Sequence, residues 1–348
     1  MILRDYFKIA IDQHASDLHL VAGAYPTLRV QGNLERISGE EILDNSFLGI
    51  EIKKLLDDNL WQNFLEKKEL DFSYEFFGKR FRINLHHQRE QLALTARLIL
   101  TSSPDPVWLG FNETIFNLAK LRDGLVLVTG PSGCGKSTTL AAMIEIINKS
   151  RGAHIITIED PIEYVFQNDK SLIEQREIGS DTLTFANALK YSLRQDPNVI
   201  MVGEMRDPET IAAALTAAET GHLVISTLHT SSAADSVARI VDSFPPHQQA
   251  QVINQLSMSL RGIISQQLLP KVNGGLVAAR EIMINNQAVA NLIRRNQTSQ
   301  IMSIIQTSAK DGMIPMNKAI DQLVEQGIIS FETATNRKRN VETQAAYY

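Results

Sequence analysis

The sequence of 348 residues predicts an α/β protein with a smaller α+β domain at its start. After about residue 104, four apolar runs alternate with helical segments, which is the pattern of a parallel sheet flanked by helices. Before residue 103, short segments alternate between apolar and polar residues, as antiparallel strands do. A segment rich in serine and proline at residues 101–106 lies between the two patterns. We therefore predict two domains, residues 1–103 and residues 104–348.

The first predicted domain combines strands with one helix. The helix is expected at residues 50–65. The strands are expected at residues 18–21, 26–30, 70–76, 81–85 and 92–99, of which the last two alternate as an antiparallel pair does.

The second predicted domain has strands at residues 124–129, 154–158, 198–202 and 223–228. One helix between them is marked at both ends. Asp207 is its N-cap, Pro208 takes its first position, and Gly221 lies where it stops. From about residue 246 onward the pattern is helical, and residues 336–348 have the composition of a polar, disordered tail.

Composition and charge exclude several classes of protein. The formal net charge of −5 gives no polybasic signature, so a nucleic-acid partner is not expected. The single cysteine, Cys134, excludes an internal disulfide and a cysteine-cluster zinc site. Residues 1–8 lack the apolar run of a signal peptide, and no stretch has the roughly 18 apolar residues of a transmembrane helix. We expect a cytoplasmic protein that contacts a membrane only through a partner.

A glycine-rich segment between a predicted strand and a predicted helix carries the strongest functional signal. It matches the P-loop pattern, whose glycines let backbone N–H groups wrap a polyphosphate at a helix N-terminus. Lys136 is expected to reach the β- and γ-phosphate oxygens, and Ser137 to ligate Mg²⁺. The predicted ATP-binding residues are Gly130, Pro131, Ser132, Gly133, Cys134, Gly135, Lys136, Ser137 and Thr138.

Two carboxylates and a histidine follow apolar strands, where ligands bind in a parallel α/β sheet. Glu204 follows the strand at 198–202 and is expected to hold Mg²⁺ directly or through water. Glu163 fits a base that orients the attacking water. His229 ends the strand at 223–228 and could sense the γ-phosphate, although a structural role is the alternative for a lone histidine.

ATP hydrolysis also needs positive charge against the transition state. P-loop enzymes commonly receive an arginine from another domain or subunit, and it can be worth about 10³–10⁵ in rate. Arg82 and Arg97 lie on predicted strands of the first domain and are candidates. The alternative is that both are ordinary surface arginines.

Five motifs in order give the chain a resemblance to a known family. They are ASDLHL at 15–20, GLVLVTGP at 124–131 leading into the P-loop, IEDPIE at 158–163, LRQDP at 193–197 ahead of VGEMRD at 202–207, and STLHT at 226–230. Together they resemble the secretion ATPase superfamily and, within it, the PilT-type twitching-motility ATPases of type IV pili. The resemblance spans nearly the whole chain.

The resemblance implies a RecA-like ATPase domain, a PAS-like N-terminal domain and a homohexameric ring. It assigns Glu163 as the catalytic glutamate, Glu204 as the Walker B glutamate and His229 as a nucleotide-state sensor. Arg82 and Arg97 match the family's phosphate-reaching arginines. The implied work is pilus depolymerisation against an inner-membrane platform protein, which would hold the ring at that membrane. The four-cysteine zinc element of the assembly and type II secretion ATPases is absent, which favours retraction.

Other functions stay open at this point. One is the ATPase of a related secretion or pilus-assembly machine. A second is a RecA-like nucleic-acid translocase, which would need a basic channel bearing aromatic residues. A third is a small-molecule kinase, for which no acceptor-binding signature is visible.

Overall fold

The computed structural model describes residues 1–99 and 104–338, and the chain divides into two units. The first unit comprises residues 1–99 together with Pro161–Val165. The second comprises residues 104–160 and 166–338. Residues 101–103 of the predicted linker and 339–348 of the predicted tail lie outside the described residues. Within the described ranges, no helix is both long enough and apolar enough to cross a bilayer.

The first unit, as far as residues 1–99 are concerned, is an antiparallel sheet with three helices. The helices are α1 (Leu3–Asp12), α2 (Asn45–Lys53) and α3 (Asp58–Lys67). The strands are β1 (Asp17–Val21), β2 (Thr27–Val30), β3 (Asn33–Arg36), β4 (Glu69–Phe76), β5 (Lys79–Gln88) and β6 (Gln91–Leu98). They lie in the order β3-β2-β1-β6-β5-β4, and each pair of neighbours is antiparallel.

Buried residues alternate with more exposed ones along the strands, and the buried ones form the core of this unit. Phe81, Ile83 and Leu85 of β5 are fully buried on one face of the sheet. Helix α1 covers that face, where the ring of Phe7 stacks on Phe76 at a centroid distance of 3.9 Å and meets Phe81 edge-on at 4.9 Å. The five predicted strands are confirmed, with ends that differ by one to three residues.

The predicted helix at residues 50–65 is wrong as a single element. The structure has two helices there, because α2 ends at Lys53 and α3 begins at Asp58. The Asp57 carboxylate accepts a hydrogen bond from the N–H of Leu60 and caps the second helix. In a continuous helix the Leu60 N–H would donate to a backbone carbonyl one turn earlier. The Asp57 side chain accepts that bond instead, so a new helix begins there.

The second unit contains the remaining elements. Its strands are β7 (Gly124–Thr129), β8 (His154–Glu159), β9 (Leu172–Glu177), β10 (Val199–Val202), β11 (Leu223–Leu228), β12 (Leu260–Pro270) and β13 (Leu276–Ile284). Its helices are α4 (Glu113–Ala119), α5 (Lys136–Ser150), α6 (Phe185–Ser192), α7 (Pro208–Glu219), α8 (Ala233–Asp242), α9 (Pro246–Ser259), α10 (Gln287–Arg294), α11 (Ile301–Thr307), α12 (Met316–Glu325) and α13 (Phe331–Arg337).

The strands of the second unit form one sheet in the order β13-β12-β7-β11-β10-β8-β9. All neighbours are parallel except β12 and β13. Strands β7, β10 and β11 are buried along their whole length, as strands with helices on both faces are. The four strands predicted for this region are confirmed, and so is the fold class of an α/β domain with a smaller α+β domain.

The helical pattern predicted from residue 246 onward is wrong for residues 260–284, which form the hairpin β12–β13. Strand β12 is covered on both faces, so its sequence lacks the alternation that marks a half-exposed strand. The turn Asn273-Gly274-Gly275, with φ of +81° and +77° at the glycines, is the signal that predicts a hairpin. The predicted tail is also too long, since Asn336 and Arg337 belong to α13.

Candidate active site

The P-loop runs from the end of β7 to the start of α5 and bends at its glycines. Gly130, Gly133 and Gly135 have φ of +146°, +75° and +85°, values that favour glycine. A Cβ at Gly130 would lie 2.3 Å from the carbonyl oxygen of Gln266, so the loop also needs glycine there for lack of space. The sequence motif therefore folds as a tight backbone cradle beside β12.

Lys136 is the first residue of α5 and lies across the loop that precedes it. Its Nζ donates to the carbonyl oxygens of Gly130 at 2.9 Å and Pro131 at 3.1 Å. The N–H groups of the first turn of α5 add positive partial charge at the same place. Ser137 and Thr138 follow in that turn and are half-buried. Positive charge, donors and a hydroxyl thus converge where a polyphosphate would bind.

The side chain of Gln266 in β12 is hydrogen-bonded to the P-loop and to α5. The sequence-based predictions missed this residue. Its side chain is 2% exposed. Its Nε2 donates to the carbonyl oxygen of Cys134 at 2.7 Å, and its Oε1 accepts from the Thr139 hydroxyl at 2.9 Å. One amide therefore joins the loop to the first turn of α5. It could not be found because residues 260–284 were predicted to be helical.

Cys134 fills the inside of the loop. Its thiol is buried, and burial raises its pKa, which outweighs the lowering effect of Lys136 and of nearby hydrogen bonds. A thiol held protonated is a poor nucleophile and a poor metal ligand. Cys134 therefore acts in packing rather than in chemistry.

Glu204 and His229 meet at the carboxyl ends of neighbouring strands β10 and β11. The Oε2 atom of Glu204 lies 3.2 Å from Nε2 of His229 and 2.8 Å from Nε of Arg206. The Glu204 side chain is 17% exposed, so two cationic or donor groups offset the cost of holding a carboxylate in a partly buried position. Arg206 was not among the predicted site residues. Its contact with Glu204 holds that carboxylate in one orientation at the end of β10.

A cavity of about 640 Å³ lies between His229 of this pair and Ser132 of the P-loop. Ser132 of the loop, His229 and Arg206 all line it. Parallel strands place their carboxyl ends at one edge of the sheet, and ligands of α/β sheets bind there. The remaining lining residues are Met205, Leu228, Thr230, Arg239 and Ser243.

The donor set near the loop fits a magnesium ion that arrives with a nucleotide. Among the described residues, no three histidine, cysteine or carboxylate side chains form a metal-binding group. Mg²⁺ needs no such cage, because it takes one or two protein ligands and completes its octahedron with phosphates and water. Ser137 and Glu204 supply a hydroxyl and a carboxylate of the required kind.

Glu159 closes β8 just before the motif that contains Glu163. Its side chain is buried and accepts hydrogen bonds from Thr157 Oγ1 at 2.6 Å and Gln175 Nε2 at 3.1 Å. These bonds fix the end of the strand from which the motif departs. Glu163 itself is exposed, and it belongs to the segment Pro161–Val165 of the first unit.

Arg82 and Arg97 are directly opposite each other on β5 and β6 of the first unit. Both are exposed, and Arg97 donates from Nε to Oδ1 of buried Asp17 at 2.8 Å. Asp17 also lies opposite Arg29 on the next strand. Burial acts to raise the pKa of Asp17, but hydrogen bonds from Arg97 and Ser16 prevail and hold it below its usual value.

The predicted site residues are thus divided between the two units. The structure brings the P-loop, Glu204 and His229 together in the second unit. Arg82, Arg97 and Glu163 lie in the first unit.

Comparison with known proteins adds to this geometry. A family model described as type II/IV secretion system protein matches residues 110–277. The type IV pilus retraction ATPase PilT of Pseudomonas aeruginosa is 45% identical over 97% of this chain and 98% of its own length. The chain belongs to this family of secretion and pilus ATPases. A twitching motility protein of Neisseria gonorrhoeae is 47% identical over 93% of the chain and 87% of its length.

Solved structures give the same family. A crystal structure of the pilus retraction motor PilT with bound ADP matches this chain with a TM-score of 0.91 at 44% identity, covering 99% of this chain and 98% of that one. The resemblance to PilT-type proteins predicted from the five motifs is therefore confirmed, and with it the assignment to an ATPase family.

Proposed function

We propose that this chain is a motor ATPase that couples ATP hydrolysis to retraction of a type IV pilus. The observation that carries the proposal is the cavity lined by the P-loop residue Ser132 and by His229, whose ring contacts Glu204. A carboxylate and a histidine at the strand ends beside a P-loop have the chemistry for nucleotide hydrolysis. Likeness to PilT over nearly the full length of both chains supports retraction as the work performed.

In this proposal each P-loop group has one task toward ATP. Backbone N–H groups of Gly133 to Lys136 bind phosphate oxygens, and Lys136 exchanges its loop carbonyls for the β- and γ-phosphates. Ser137 and Glu204 would hold Mg²⁺, which would neutralise developing charge on the phosphates. His229 senses the γ-phosphate in this proposal, because it contacts Glu204 and lines the same cavity as Ser132 of the P-loop.

The first unit supplies the remaining groups. Glu163 orients the attacking water, and Arg82 and Arg97 stabilise charge on the transferring phosphoryl group. Their exposure leaves them accessible to a nucleotide. In this proposal the groups of the first unit engage the nucleotide before hydrolysis and disengage after it. This cycle would couple ATP hydrolysis to domain motion.

The proposed assembly is a homohexameric ring in the cytoplasm. It would reach the inner membrane through the platform protein of the pilus machine, on which the ring exerts its force. The lack of a membrane-crossing helix in the described residues is compatible with this arrangement.

A test in cells separates retraction from assembly. The gene is deleted, surface pili are counted, and twitching is measured after return of the wild-type chain or of Lys136→Ala. Retraction is supported if the deletion strain has excess pili and no motility, and if Lys136→Ala fails to restore motility. Loss of pili would instead assign an assembly motor. The control is Lys149→Ala on the same helix, whose side chain is exposed and pairs with Glu145 at 2.9 Å; it should restore motility.

A second test addresses nucleic-acid translocation. ATP turnover of the purified chain is measured with and without single-stranded DNA over a range of salt concentrations. No stimulation is expected, since the chain carries a net charge of −5. Strong stimulation that falls with salt would overturn the motor proposal in favour of a translocase.

A further inference from the structure

A groove of about 680 Å³ runs along the edge of the second unit's sheet, and none of its lining residues belongs to the P-loop. Its floor is the edge strand β13, from Val277 to Arg280. One wall is the turn at residues 107–110, and the other is helix α12 with the residues that follow it. The volume lies in the range of sites that hold a peptide or a ligand.

The strand edge at the floor offers free backbone groups. Ile282 exchanges both backbone hydrogen bonds with Ile314, at 2.8 and 3.0 Å, so its N–H and C=O point away from β12. Successive residues of a strand alternate in this direction, so Ala278 and Arg280 point their backbone groups the same way. Among the described residues no hydrogen-bond partner exists for them. An unpaired edge is a template for another strand.

A buried cation faces the same groove. Arg280 is 7% exposed, and its Nη1 donates to the carbonyl oxygen of Leu109 at 2.7 Å. Its guanidinium lies 5.1 Å from the ring centre of Phe111, whereas its buried Nε has no hydrogen-bond partner in the described structure. Burial lowers the pKa of Arg280 to about 10. A buried charge of this kind is costly unless an anion pairs with it.

The rest of the lining matches an anionic, partly apolar occupant. Lys271 supplies a second cation, and none of the described residues that line the groove is acidic. Trp108 stands at the lip with 93% of its surface exposed, and Val107 beside it is also exposed. An exposed tryptophan next to a groove is the kind of residue that anchors a partner.

We infer that this groove is a docking site for an extended acidic peptide segment of a partner protein. The segment would add a strand to β13 through the backbone of Ala278 and Arg280, and place a carboxylate on the Arg280 guanidinium. Charge complementarity selects this occupant, because the part of the chain that the structure describes lines the groove with two cations and no carboxylate. The inference concerns partner binding and is independent of the nucleotide site.

The test uses the full-length chain and two short fluorescein-labelled peptides. One alternates valine with glutamate, and the matched peptide alternates valine with lysine. Fluorescence polarisation should show saturable binding of the glutamate peptide, at least about tenfold tighter than of the lysine peptide and weaker as salt is added. Arg280→Gln should weaken binding of the glutamate peptide at least about tenfold, while Lys318→Gln, an exposed lysine of α12 outside the groove, should not.

A second variant keeps the test informative if Arg280→Gln does not fold. Ala278→Pro removes an outward N–H at an edge strand, where proline is tolerated, and should abolish peptide binding with ATP turnover unchanged. Equal affinity for the two peptides, or no binding of either, would overturn the inference. So would binding that survives both Arg280→Gln and Ala278→Pro. A change in oligomeric state in Trp108→Ala without any peptide binding would assign the groove to contacts between copies and also refute it.

Discussion

At the scale of single residues, the charges of the first unit form a row across its sheet. Arg82, Arg97, Asp17 and Arg29 occupy directly opposed positions on four adjacent strands. Three cations and one buried anion leave excess positive charge within this row. The role of Asp17 in this row is to hold Arg97 in one orientation, since the hydrogen bond at 2.8 Å fixes the guanidinium of a side chain that is 70% exposed.

Asp17→Asn should therefore destabilise the first unit in a pH-dependent way. The pKa of Asp17 is held below its usual value, so its carboxylate stabilises the fold above the ordinary aspartate pKa of about 4. That contribution, about 1 kcal/mol after allowance for solvent around Arg97, disappears as the pH falls through the lowered pKa. Urea unfolding of Asp17→Asn and wild type, followed by Trp61 fluorescence in a Trp108→Phe background, measures the difference.

The control for that measurement is pH itself. Below the pKa of the folded Asp17 the two proteins should have equal unfolding free energies, because both carry a neutral side chain. A difference that stays constant from neutral to strongly acid solution would contradict the ion-pair explanation.

Glu163→Gln should nearly abolish ATP hydrolysis while nucleotide binding persists. The proposed task of Glu163 is to orient water in the transition state, so its loss affects kcat far more than KM. Turnover and the affinity for a fluorescent ATP analogue are measured on the same preparation. The matched control is Glu66→Gln, an exposed glutamate of α3 in the same unit, and it should behave as wild type. Near-normal turnover of Glu163→Gln would show that Glu163 does not orient the attacking water.

At the scale of elements, the P-loop depends on the strand beneath it as much as on its own glycines. The carbonyl oxygen of Gln266 fills the space where a Cβ of Gly130 would be, and its side chain joins Cys134 to Thr139. Ser265, its neighbour on β12, accepts a hydrogen bond from Thr129 at the end of β7 at 2.8 Å. Strand β12 is therefore the scaffold that keeps the loop open for phosphate.

Gln266→Leu should lower both stability and nucleotide affinity. The substitution leaves a buried carbonyl and a buried hydroxyl without their partner, at a cost of about 2–4 kcal/mol in unfolding free energy. The loop then loses its fixed shape, and we expect the affinity for ATP to fall at least about tenfold. Gln267→Leu is the control, since that half-buried side chain makes only a 3.5 Å contact with the carbonyl oxygen of Arg337. Equal effects of the two substitutions would exclude a specific role for Gln266.

At the scale of the whole molecule, the groups proposed to act on one nucleotide belong to two separately packed units. The second unit holds the P-loop with Glu204 and His229, and the first holds Glu163 with Arg82 and Arg97. In the proposed function, hydrolysis requires groups from both units. Such a requirement is what ties a chemical step to domain motion in a motor.

Arg97→Ala should lose turnover and keep its assembly state. An arginine that stabilises the phosphoryl transition state can be worth about 10³–10⁵ in rate, and we expect a loss of at least about 10²-fold. Turnover is compared with the mass measured by analytical ultracentrifugation in the presence of ATP. Arg36→Ala, an exposed arginine of the first unit that stacks on Tyr25 at 4.7 Å, is the control. Unchanged kinetics in Arg97→Ala would make it an ordinary surface arginine, and a loss of assembly would make it an interface residue.

Local sequence determined much of this protein. A buried parallel strand, a glycine loop and a helix are specified by residues 124–150, because apolar runs, positive-φ glycines and helix formers each act over a few positions. Strand-end acids were located in the same way, since the carboxyl ends of parallel strands share one edge. The signals at Asp207, Pro208 and Gly221 predict both ends of the helix that starts at Pro208.

Tertiary structure decided what depends on distant neighbours. Strand β12 is covered on both faces, and its polar residues Ser265 and Gln266 are satisfied by β7 and by the P-loop, so no local pattern marks it as a strand. The pairing of Asp17 with Arg97 joins residues 80 positions apart. Hydrogen bonds of this kind, and the buried charge of Arg280 in an edge groove, exist only once the sheets form, because their partners come from elements that are remote in sequence.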